Sequence, residues 1–312
     1  MIRTLTALVA VIVAGCAPKA PRVPADAKGP VRLLPLAGPA SGKDAELSGM
    51  AWYGDKLVLL PQYPERFGGV LFTLPKADLL AQVEGRRTGP LETGEIPIEA
   101  GTLAELPGYE GFESIVFFGA SRACLTVETS AARIVAYLVC GVMGNDGRLR
   151  LDPRRVPIPS PAVLGNMSHE ALVVSGDSIV ALFEANGPRV NPKPVAHVFG
   201  FDLMPRRTAA FPSLDYRVTD ATPPDREGRF WVTNVFWVGD THLFGGSVAV
   251  ERLVELQWKD GVVTRTPTRE IVLPTIDAET TRNWEAIARL DERGFILATD
   301  RFPETLLAFV PR

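Results

Sequence analysis

The stretch "NWEAIARLDERGFILATD", residues 283 to 300, decides the fold because the chain repeats its pattern. An apolar segment is followed by a tight polar turn containing Gly or Asp, and then by a segment rich in β-branched or aromatic residues. This order is typical of a β-hairpin. The pattern occurs five times, at residues 47 to 62, 112 to 128, 169 to 184, 219 to 234 and 284 to 300.

Each hairpin is followed by a third apolar segment, and often by an outer stretch that ends near a proline. The third segments are Val70 to Leu74, Ile134 to Val139, Val195 to Leu203, Leu253 to Trp258 and Leu306 to Val310. Outer stretches include "RRVPIP" at 154 to 159 and "REIVLP" at 269 to 274. Four strands in this order are the content of a propeller blade, and a period of roughly 50 to 65 residues is typical of units that stack into arrays or rings.

The two ends of the folded part complement each other. The fifth unit reaches Arg312 after three strands, while "VRLLPLAG" at 31 to 38 has the character of an outer strand and belongs to no unit. We therefore predict an all-β fold, a single β-propeller over residues 31 to 312 with five blades, closed by the N-terminal strand. Six blades, with one hidden in the longer connections, is the alternative.

Composition agrees with this architecture and excludes one class of function. The chain has 312 residues, of which 46% are hydrophobic, enough for a substantial core. Its 28 Gly and 27 Pro favour short strands joined by turns over long helices. A net charge of −3 gives no electrostatic basis for binding nucleic acid.

The N-terminus indicates export. Arg3 precedes an uncharged run from Leu5 to Ala14, which is too short to cross a bilayer as a helix. The run ends in the sequence Val13-Ala14-Gly15-Cys16. This resembles a bacterial lipoprotein signal peptide, which implies cleavage before Cys16 and a lipid on its thiol. Residues 1 to 15 are then the signal peptide and 16 to 30 a tether, which places the protein in the cell envelope on the periplasmic or extracellular face. An ordinary secretory signal with a chance cysteine is the alternative.

Export bears on the other two cysteines, Cys124 and Cys140, which lie on neighbouring predicted strands. An oxidising compartment allows them to form a disulfide. A buried pair of free thiols is the alternative, because strand register decides whether the sulfurs meet.

Aligning the five hairpins reveals two polar columns. The first, at the start of the first strand, contains Ser48, Glu113, Glu170, Asp220 and Glu285. The second, at the end of the second strand, contains Gln62, Glu128, Glu184, Asn234 and Asp300. In an antiparallel hairpin these positions are neighbours, so we expect a ring of carboxylates at one mouth of the central channel.

Such a ring needs compensation, because two carboxylates roughly 6 Å apart repel by about 2 to 3 kcal/mol at an effective dielectric near 20. Either some carboxyls are protonated or cations bind, and calcium fits an oxygen-rich site better than magnesium or zinc. The predicted metal ligands are Glu113, Glu170, Asp220, Glu285, Glu128, Glu184 and Asp300. Two other roles stay open for these columns, namely capping and seating of the blades, and direct acid-base catalysis.

Four other residues are predicted to contact a ligand: His169, Asn234, Arg301 and Gln62. A half-buried packing role is the alternative for His169, and a salt bridge to the ring for Arg301. Insertions at 184 to 194 and 234 to 246 follow second strands and should overhang the same mouth. Trp237, His242 and Phe244 in the second insertion either line a pocket or cover apolar surface between two blades.

The hairpins "HEALVVSGDSIVALFEANG" and "NWEAIARLDERGFILATDRFPETLLAF" resemble those of the esterase-like phytase family, which are secreted or envelope β-propellers. The resemblance implies a calcium-dependent propeller and phosphoester hydrolysis. Ser48 replaces the family's glutamate in the first unit, and "DATPPDREG" departs from the pattern in the fourth. No nucleophile motif can be carried over residue by residue.

Two functional hypotheses follow. The first is an envelope propeller, attached to the membrane through Cys16, whose acidic channel mouth binds a cation, a small ligand or an envelope protein. The alternative is a calcium-dependent phosphoester or ester hydrolase of the esterase-like phytase type. No G-x-S-x-G, H-E-x-x-H or P-loop pattern favours an enzyme.

Overall fold

The computed structural model of the protein describes residues 31–300 and 305–312. Strands dominate this part of the chain, and they are arranged as successive antiparallel meanders. Short 3-10 helices occupy several connections: Pro39–Ser41, Lys43–Ala45, Pro64–Phe67, Leu103–Glu105 and Val238–Asp240.

The described chain opens with β1 (Arg32–Leu34). The first meander consists of β2 (Leu47–Tyr53), β3 (Lys56–Pro61), β4 (Val70–Pro75), helix α1 (Lys76–Val83) and β5 (Gly94–Glu99). The second consists of β6 (Tyr109–Phe118), β7 (Arg122–Thr129), β8 (Val135–Met143) and β9 (Leu149–Ile158). A short parallel contact between β5 and β9, at Ile98–Leu149 and Glu99–Arg150, joins these two meanders into one eight-stranded sheet.

Three four-stranded sheets follow. The third meander is β10 (Ala171–Ser175), β11 (Ser178–Leu182), β12 (Val195–Gly200) and β13 (Pro205–Ala210). The fourth is β14 (Arg217–Ala221), β15 (Arg229–Phe236), helix α2 (Thr241–Phe244), β16 (Val250–Lys259) and β17 (Val262–Leu273). The last is β18 (Trp284–Leu290), β19 (Gly294–Thr299) and β20 (Leu307–Pro311), and β1 pairs antiparallel with β20 as its fourth strand.

The five repeated hairpins of the sequence are the β2–β3, β6–β7, β10–β11, β14–β15 and β18–β19 pairs. Tight turns join them, and Gly54 and Gly176 supply the positive φ angles of 60° and 59° that two of these turns require. The N-terminal segment takes the position that the sequence predicts for it, because β1 completes the last sheet. Helix α1 is not predicted by the repeat; it directly follows Pro75 and buries Leu79.

The meanders form a ring through their first strands. Strand β2 contacts β6 and β18, β10 contacts β6 and β14, and β14 contacts β18. Apolar side chains fill each junction between neighbouring meanders in a separate cluster. Both faces of the inner strands are consequently buried, which explains uninterrupted apolar runs such as Leu57 to Leu60 in β3. The described chain is thus all-β, with the radial arrangement of a β-propeller.

Cys124 of β7 lies directly opposite Cys140 of β8, and the two form a disulfide with a Cα–Cα distance of 4.0 Å. Both residues are buried in the cluster between the second and third meanders. This resolves the two alternatives left open by the sequence in favour of the bonded pair.

The residues before Val31 lie outside the described chain, so the signal peptide, the tether and the lipid at Cys16 stay predictions. Within residues 31–300 and 305–312, neither helix has the length or the apolar composition to span a bilayer.

The closure by β1 is testable by truncation. Removing residues 1 to 34 should lower the free energy of unfolding by about 2 to 5 kcal/mol relative to removing residues 1 to 30, because Val31 and Leu34 are buried and β20 loses one of its two partner strands. Denaturation in urea, followed by tryptophan fluorescence, measures the difference. Equal midpoints for the two truncated proteins would show that β1 does not hold the ring.

Candidate functional site

The two polar columns meet at one end of the hairpins. In the third meander the backbone N–H of Glu184, at the end of the second strand, donates to the carbonyl of Ser168 at 2.8 Å, just before the first strand. Glu128 stands beside the start of β6, where Gly111 is its partner in the β6–β7 ladder. The hairpin geometry therefore brings both columns together, as the sequence predicts.

Carboxyl groups from different meanders affect one another at this end. Burial raises the pKa of Glu113 well above its usual range, and the charges of Glu128, Glu285 and Asp300 raise it further. Burial raises the pKa of Glu170 in the same way, with contributions from Glu184, Glu285 and Glu113. Glutamates of the second, third and fifth meanders thus share one poorly solvated region.

The same causes act on the remaining members. Burial raises the pKa of Glu285, and Asp300 and Glu184 add to the shift. Burial raises the pKa of Glu128 to about 7, while the neighbouring Ser168 hydroxyl and the charge of Arg217 act in the opposite direction. Glu184 is fully buried, whereas Glu170 and Glu285 keep some solvent contact. We call Glu113, Glu128, Glu170, Glu184 and Glu285 the glutamate cluster.

A half-buried arginine partly compensates this cluster. Arg217, the first residue of β14, donates from Nη1 to Glu184 Oε1 at 2.8 Å and from Nε to Asp240 Oδ2 at 2.7 Å. Its side chain is 18% exposed. Although burial lowers the pKa of Arg217, the charges of Glu184 and Asp240 raise it overall, so the guanidinium stays charged.

Arg217 was not predicted as a site residue because it belongs to neither polar column, although Arg282 stands at the corresponding place of the fifth hairpin. The residue stands three positions before Asp220 of the first column, at the entrance to the fourth hairpin. A search for cations near the acidic columns would have found it. Asp240, the second partner, comes from the insertion at 234 to 246, so Arg217 ties that insertion to the cluster.

The first meander contributes amides and hydroxyls in place of carboxylates. Gln62 donates from Nε2 to Glu113 Oε1 at 3.0 Å and to the carbonyl of Glu110 at 2.9 Å. Ser48 donates its hydroxyl to the carbonyl of Phe112 at 2.6 Å. Gln62 therefore touches the cluster, and Ser48 serves to join the first strands of two meanders.

Asp220 was predicted to be a metal ligand of the ring, but its carboxylate binds backbone amides. Its oxygens accept backbone N–H groups from Ala221 and from Ile287 of β18, both at 2.8 Å. Burial raises its pKa, while bonds from the backbone of Ile287, Ala221 and Met50 lower it. The side chain connects strands of neighbouring meanders, which corresponds to the seating role left open for these columns.

Asn234 also has a structural set of partners. Its Nδ2 donates to the carbonyls of Asp215 at 3.0 Å and Arg217 at 2.9 Å, and its Oδ1 accepts Arg252 Nε at 2.7 Å. These bonds fix the backbone that carries the Arg217 side chain. Asn234 is thus a positioning residue for the arginine.

His169 packs against Phe183 and His197, with ring centroids 5.3 and 5.5 Å apart. Burial, followed by the charge of His197, lowers the pKa of His169 to about 3, so the imidazole is neutral. This arrangement matches the packing alternative. Arg301 lies outside the described residues, and its predicted role stays a prediction.

The insertion at 234 to 246 covers apolar surface. Phe244 is buried with Met167, Phe183 and Phe236, which come from the third and fourth meanders. Trp237 is 53% exposed. Phe244 therefore covers apolar surface between two meanders and does not line a pocket.

Calcium binding at the ring stays a prediction. Among residues 31–300 and 305–312, no three His, Cys, Asp or Glu side chains are grouped closely enough to hold a metal ion. What the glutamate cluster can do is hold protons and release them when a positive charge enters.

No protein-family model matches the chain, and no curated protein is detectably similar to it in sequence. Among solved structures, a glucose dehydrogenase is similar with a TM-score of 0.48 and 11% identity over 90% of this chain and 99% of that one. The soluble aldose sugar dehydrogenase from Escherichia coli has a TM-score of 0.45 and 10% identity, covering 90% of this chain and 99% of its own. Hydrazine synthase from Kuenenia stuttgartiensis is similar with a TM-score of 0.43 and 10% identity. The match covers 84% of this chain and 64% of the hydrazine synthase chain.

These likenesses are too weak to carry an activity to this chain. They also bring no support for the resemblance to the esterase-like phytase family, which stays a prediction from two hairpins.

Asp220 offers a test that separates a structural role from ligand binding. Asp220→Ala should lower the free energy of unfolding by about 2 to 4 kcal/mol, because the buried amides of Ala221 and Ile287 lose their acceptor. Urea denaturation measures this loss. Full stability in the variant, combined with loss of ligand binding, would contradict the structural role.

Glu128 makes stability depend on pH. Its folded pKa of about 7 lies above the unfolded value near 4.5, so the folded state holds the proton more tightly. Stability from this group is present below pH 4.5 and is lost as pH rises through 7, by about 3 to 4 kcal/mol in total. Glu128→Gln should therefore raise the free energy of unfolding at pH 8.5 and have little effect at pH 5.

The control for this measurement is Glu279→Gln, at an exposed position. The control should follow the wild-type curve of stability against pH. If Glu128→Gln and the control give the same curve between pH 5 and pH 8.5, the raised pKa of Glu128 is wrong.

Proposed function

We propose that the protein is an exported, lipid-anchored, five-bladed β-propeller that binds a small organic cation at the acidic mouth of its central channel. The observation that carries the proposal is the glutamate cluster, in which buried carboxyls from three meanders face a single region beside Arg217. A positively charged, partly buried ligand offsets the mutual repulsion of these carboxylates.

Support for five blades comes from the packing. One apolar cluster fills each of the junctions between neighbouring meanders, and the contacts among the first strands return to β2 after β18. A sixth blade would need an additional sheet and an additional junction. The connections between the described strands contain neither.

An ammonium group suits the cluster better than a bare metal ion. The carboxyls are not gathered into a group of three, so they offer separate hydrogen-bond acceptors in place of a coordination shell. An ammonium donates three hydrogen bonds in different directions and needs no more than one or two carboxylates among its acceptors. A small amine with one or two ammonium groups is therefore the ligand class that we propose.

Binding should be linked to protonation. Carboxyls with raised pKa values hold protons near neutral pH, and a neutral carboxyl attracts a cation weakly. When the ligand enters, its charge lowers those pKa values and protons leave. Affinity should consequently rise with pH across the range in which the cluster ionises, which includes the value of about 7 for Glu128.

The envelope location is supported by two features. The sequence before Cys16 resembles a lipoprotein signal peptide. The disulfide between Cys124 and Cys140 is the bond expected of a protein that folds in an oxidising compartment. The calcium-dependent hydrolase of the esterase-like phytase type is the alternative, which the experiment below includes.

Isothermal titration of the soluble protein from residue 31 onward with ethylenediamine and spermidine tests the proposal. We expect binding that is about tenfold tighter at pH 8 than at pH 5.5, with a heat that varies with the ionisation enthalpy of the buffer because protons are released. Glu170→Gln should weaken binding by about tenfold, since it removes one partly exposed carboxylate. Binding that is absent or independent of pH contradicts the proposal.

The control is Glu279→Gln, which should bind like the wild type. The same titration with calcium chloride, and a phosphate-ester assay with calcium and with chelator, test the alternative. Turnover that needs calcium and disappears in Glu113→Gln would establish the hydrolase instead.

A further inference from the structure

A cavity lies at the end of the ring opposite the glutamate cluster. A cleft of about 700 Å³ separates the first and second meanders, and the β2–β3 turn at Gly54 and the β6–β7 turn at Gly119 line it. The glutamate cluster stands at the opposite ends of these hairpins, where β2 and β6 begin. The cleft is therefore separate from the site described above, and the following inference does not depend on the proposed function.

Aromatic side chains form the walls of this cleft. Trp52 and Tyr53 come from the end of β2 and Phe117 from β6, and all three are partly exposed. The rings of Tyr53 and Phe117 are in contact across the two meanders, with centroids 5.0 Å apart. Ile96 and Met143, 5% and 6% exposed, form an apolar floor. Flat apolar surface is thus open to solvent on both sides of the cleft.

The charges along the cleft are mostly negative. Asp55, Glu95 and Asp146 line it against one cation, Lys56. Asp146 is held by Arg150, with Nη2 and Oδ2 2.5 Å apart. Among the residues that the structure describes, Asp55 and Glu95 form no ion pair. Two uncompensated carboxylates therefore stand beside aromatic faces.

One aromatic face already interacts with a cation. Lys76, at the start of helix α1, places Nζ 5.5 Å from the centroid of the Trp52 ring. This distance is within the range of a cation–π interaction. The ammonium of Lys76 also pairs with Asp291 Oδ1 at 2.5 Å, so this contact belongs to the junction with the last meander, and Tyr53 and Phe117 are the rings that a ligand in the cleft would contact.

Turns that contain glycine surround the opening of the cleft and form its rim. Gly54, Gly119 and Gly147 have φ angles of 60°, 60° and 76°, and a Cβ on any of them would meet no atom within 4 Å. The turns therefore leave space above the cleft. An extended chain can lie across the rim while one of its side chains reaches the floor.

We propose that this cleft binds an arginine side chain presented by an extended segment of a partner protein. A planar guanidinium stacks on aromatic rings and donates paired hydrogen bonds to carboxylates, which an ammonium cannot do with the same geometry. The aliphatic stem of arginine covers the apolar floor formed by Ile96 and Met143. Neither requirement is met by a purely apolar ligand or by an acidic one.

The test uses two peptides that differ in charge alone, acetyl-Gly-Arg-Gly-amide and the same peptide with citrulline in place of arginine. Titration of the protein, followed by tryptophan fluorescence and by calorimetry, should show binding of the arginine peptide that is at least about tenfold tighter than that of the citrulline peptide. Raising the salt concentration should weaken the arginine peptide more than the citrulline peptide. Equal binding of the two peptides, or no binding of either, overturns the proposal.

Variants place the peptide in the cleft. The double substitution Asp55→Asn and Glu95→Gln changes exposed side chains and should reduce affinity for the arginine peptide by about tenfold, and Phe117→Ala should reduce it by a similar factor. Glu279→Gln is the matched surface control and should have no effect. Because Phe117→Ala can also disturb packing, its unfolding midpoint is measured, and the double variant carries the test if that midpoint falls.

The acidic mouth is the competing location for a cationic peptide. Glu113→Gln should leave binding of the arginine peptide unchanged, because the cleft is at the other end of the hairpins. Loss of peptide binding in Glu113→Gln, with normal binding in the double variant, would place the peptide at the mouth and overturn the inference. The small amines test the glutamate cluster and the peptides test the cleft. Either proposal can therefore fail without affecting the other.

Discussion

The structure depends on one constraint, the need of each small sheet to cover both of its faces. Inner strands such as β3 are buried throughout Leu57 to Leu60, which a single four-stranded sheet cannot achieve in water. Neighbouring meanders provide the cover, and an open row would leave two faces exposed at its ends. Closing the row into a ring removes those ends, and the pairing of β1 with β20 holds the closure by backbone hydrogen bonds.

The same constraint produces the acidic mouth. Packing around a common axis brings the starts of the first strands together, so any polar column at that position becomes crowded. Here the column carries glutamates, and burial together with mutual repulsion raises the pKa values of Glu113, Glu170 and Glu285. Arg217 offsets part of this cost through Glu184. The residual cost is the kind of local instability that binding sites often carry, because a ligand can relieve it.

The two ends of the ring differ in character for a geometric reason. At one end strands begin and end close to the axis, and insertions such as 234 to 246 fold over them. At the other end short turns join the hairpins, with glycines at positions such as Gly54 and Gly119 that leave the surface open. The first end concentrates buried charge, while the second presents an aromatic cleft with exposed carboxylates.

The repeated hairpins, the order of four strands in each unit, the N-terminal strand that completes the last one, and the position of the polar columns could all be predicted from the sequence. All of these follow from local periodicity and turn residues, which act over a few neighbouring positions. Tertiary structure alone decided that Asp220 binds backbone amides of β18, that His169 is neutral against Phe183, and that Arg217 reaches both Glu184 and Asp240. The Cys124–Cys140 bond likewise required the β7–β8 register. These outcomes depend on which side chains meet across different strands, loops and meanders, and on how far water is excluded there, and a linear pattern contains neither.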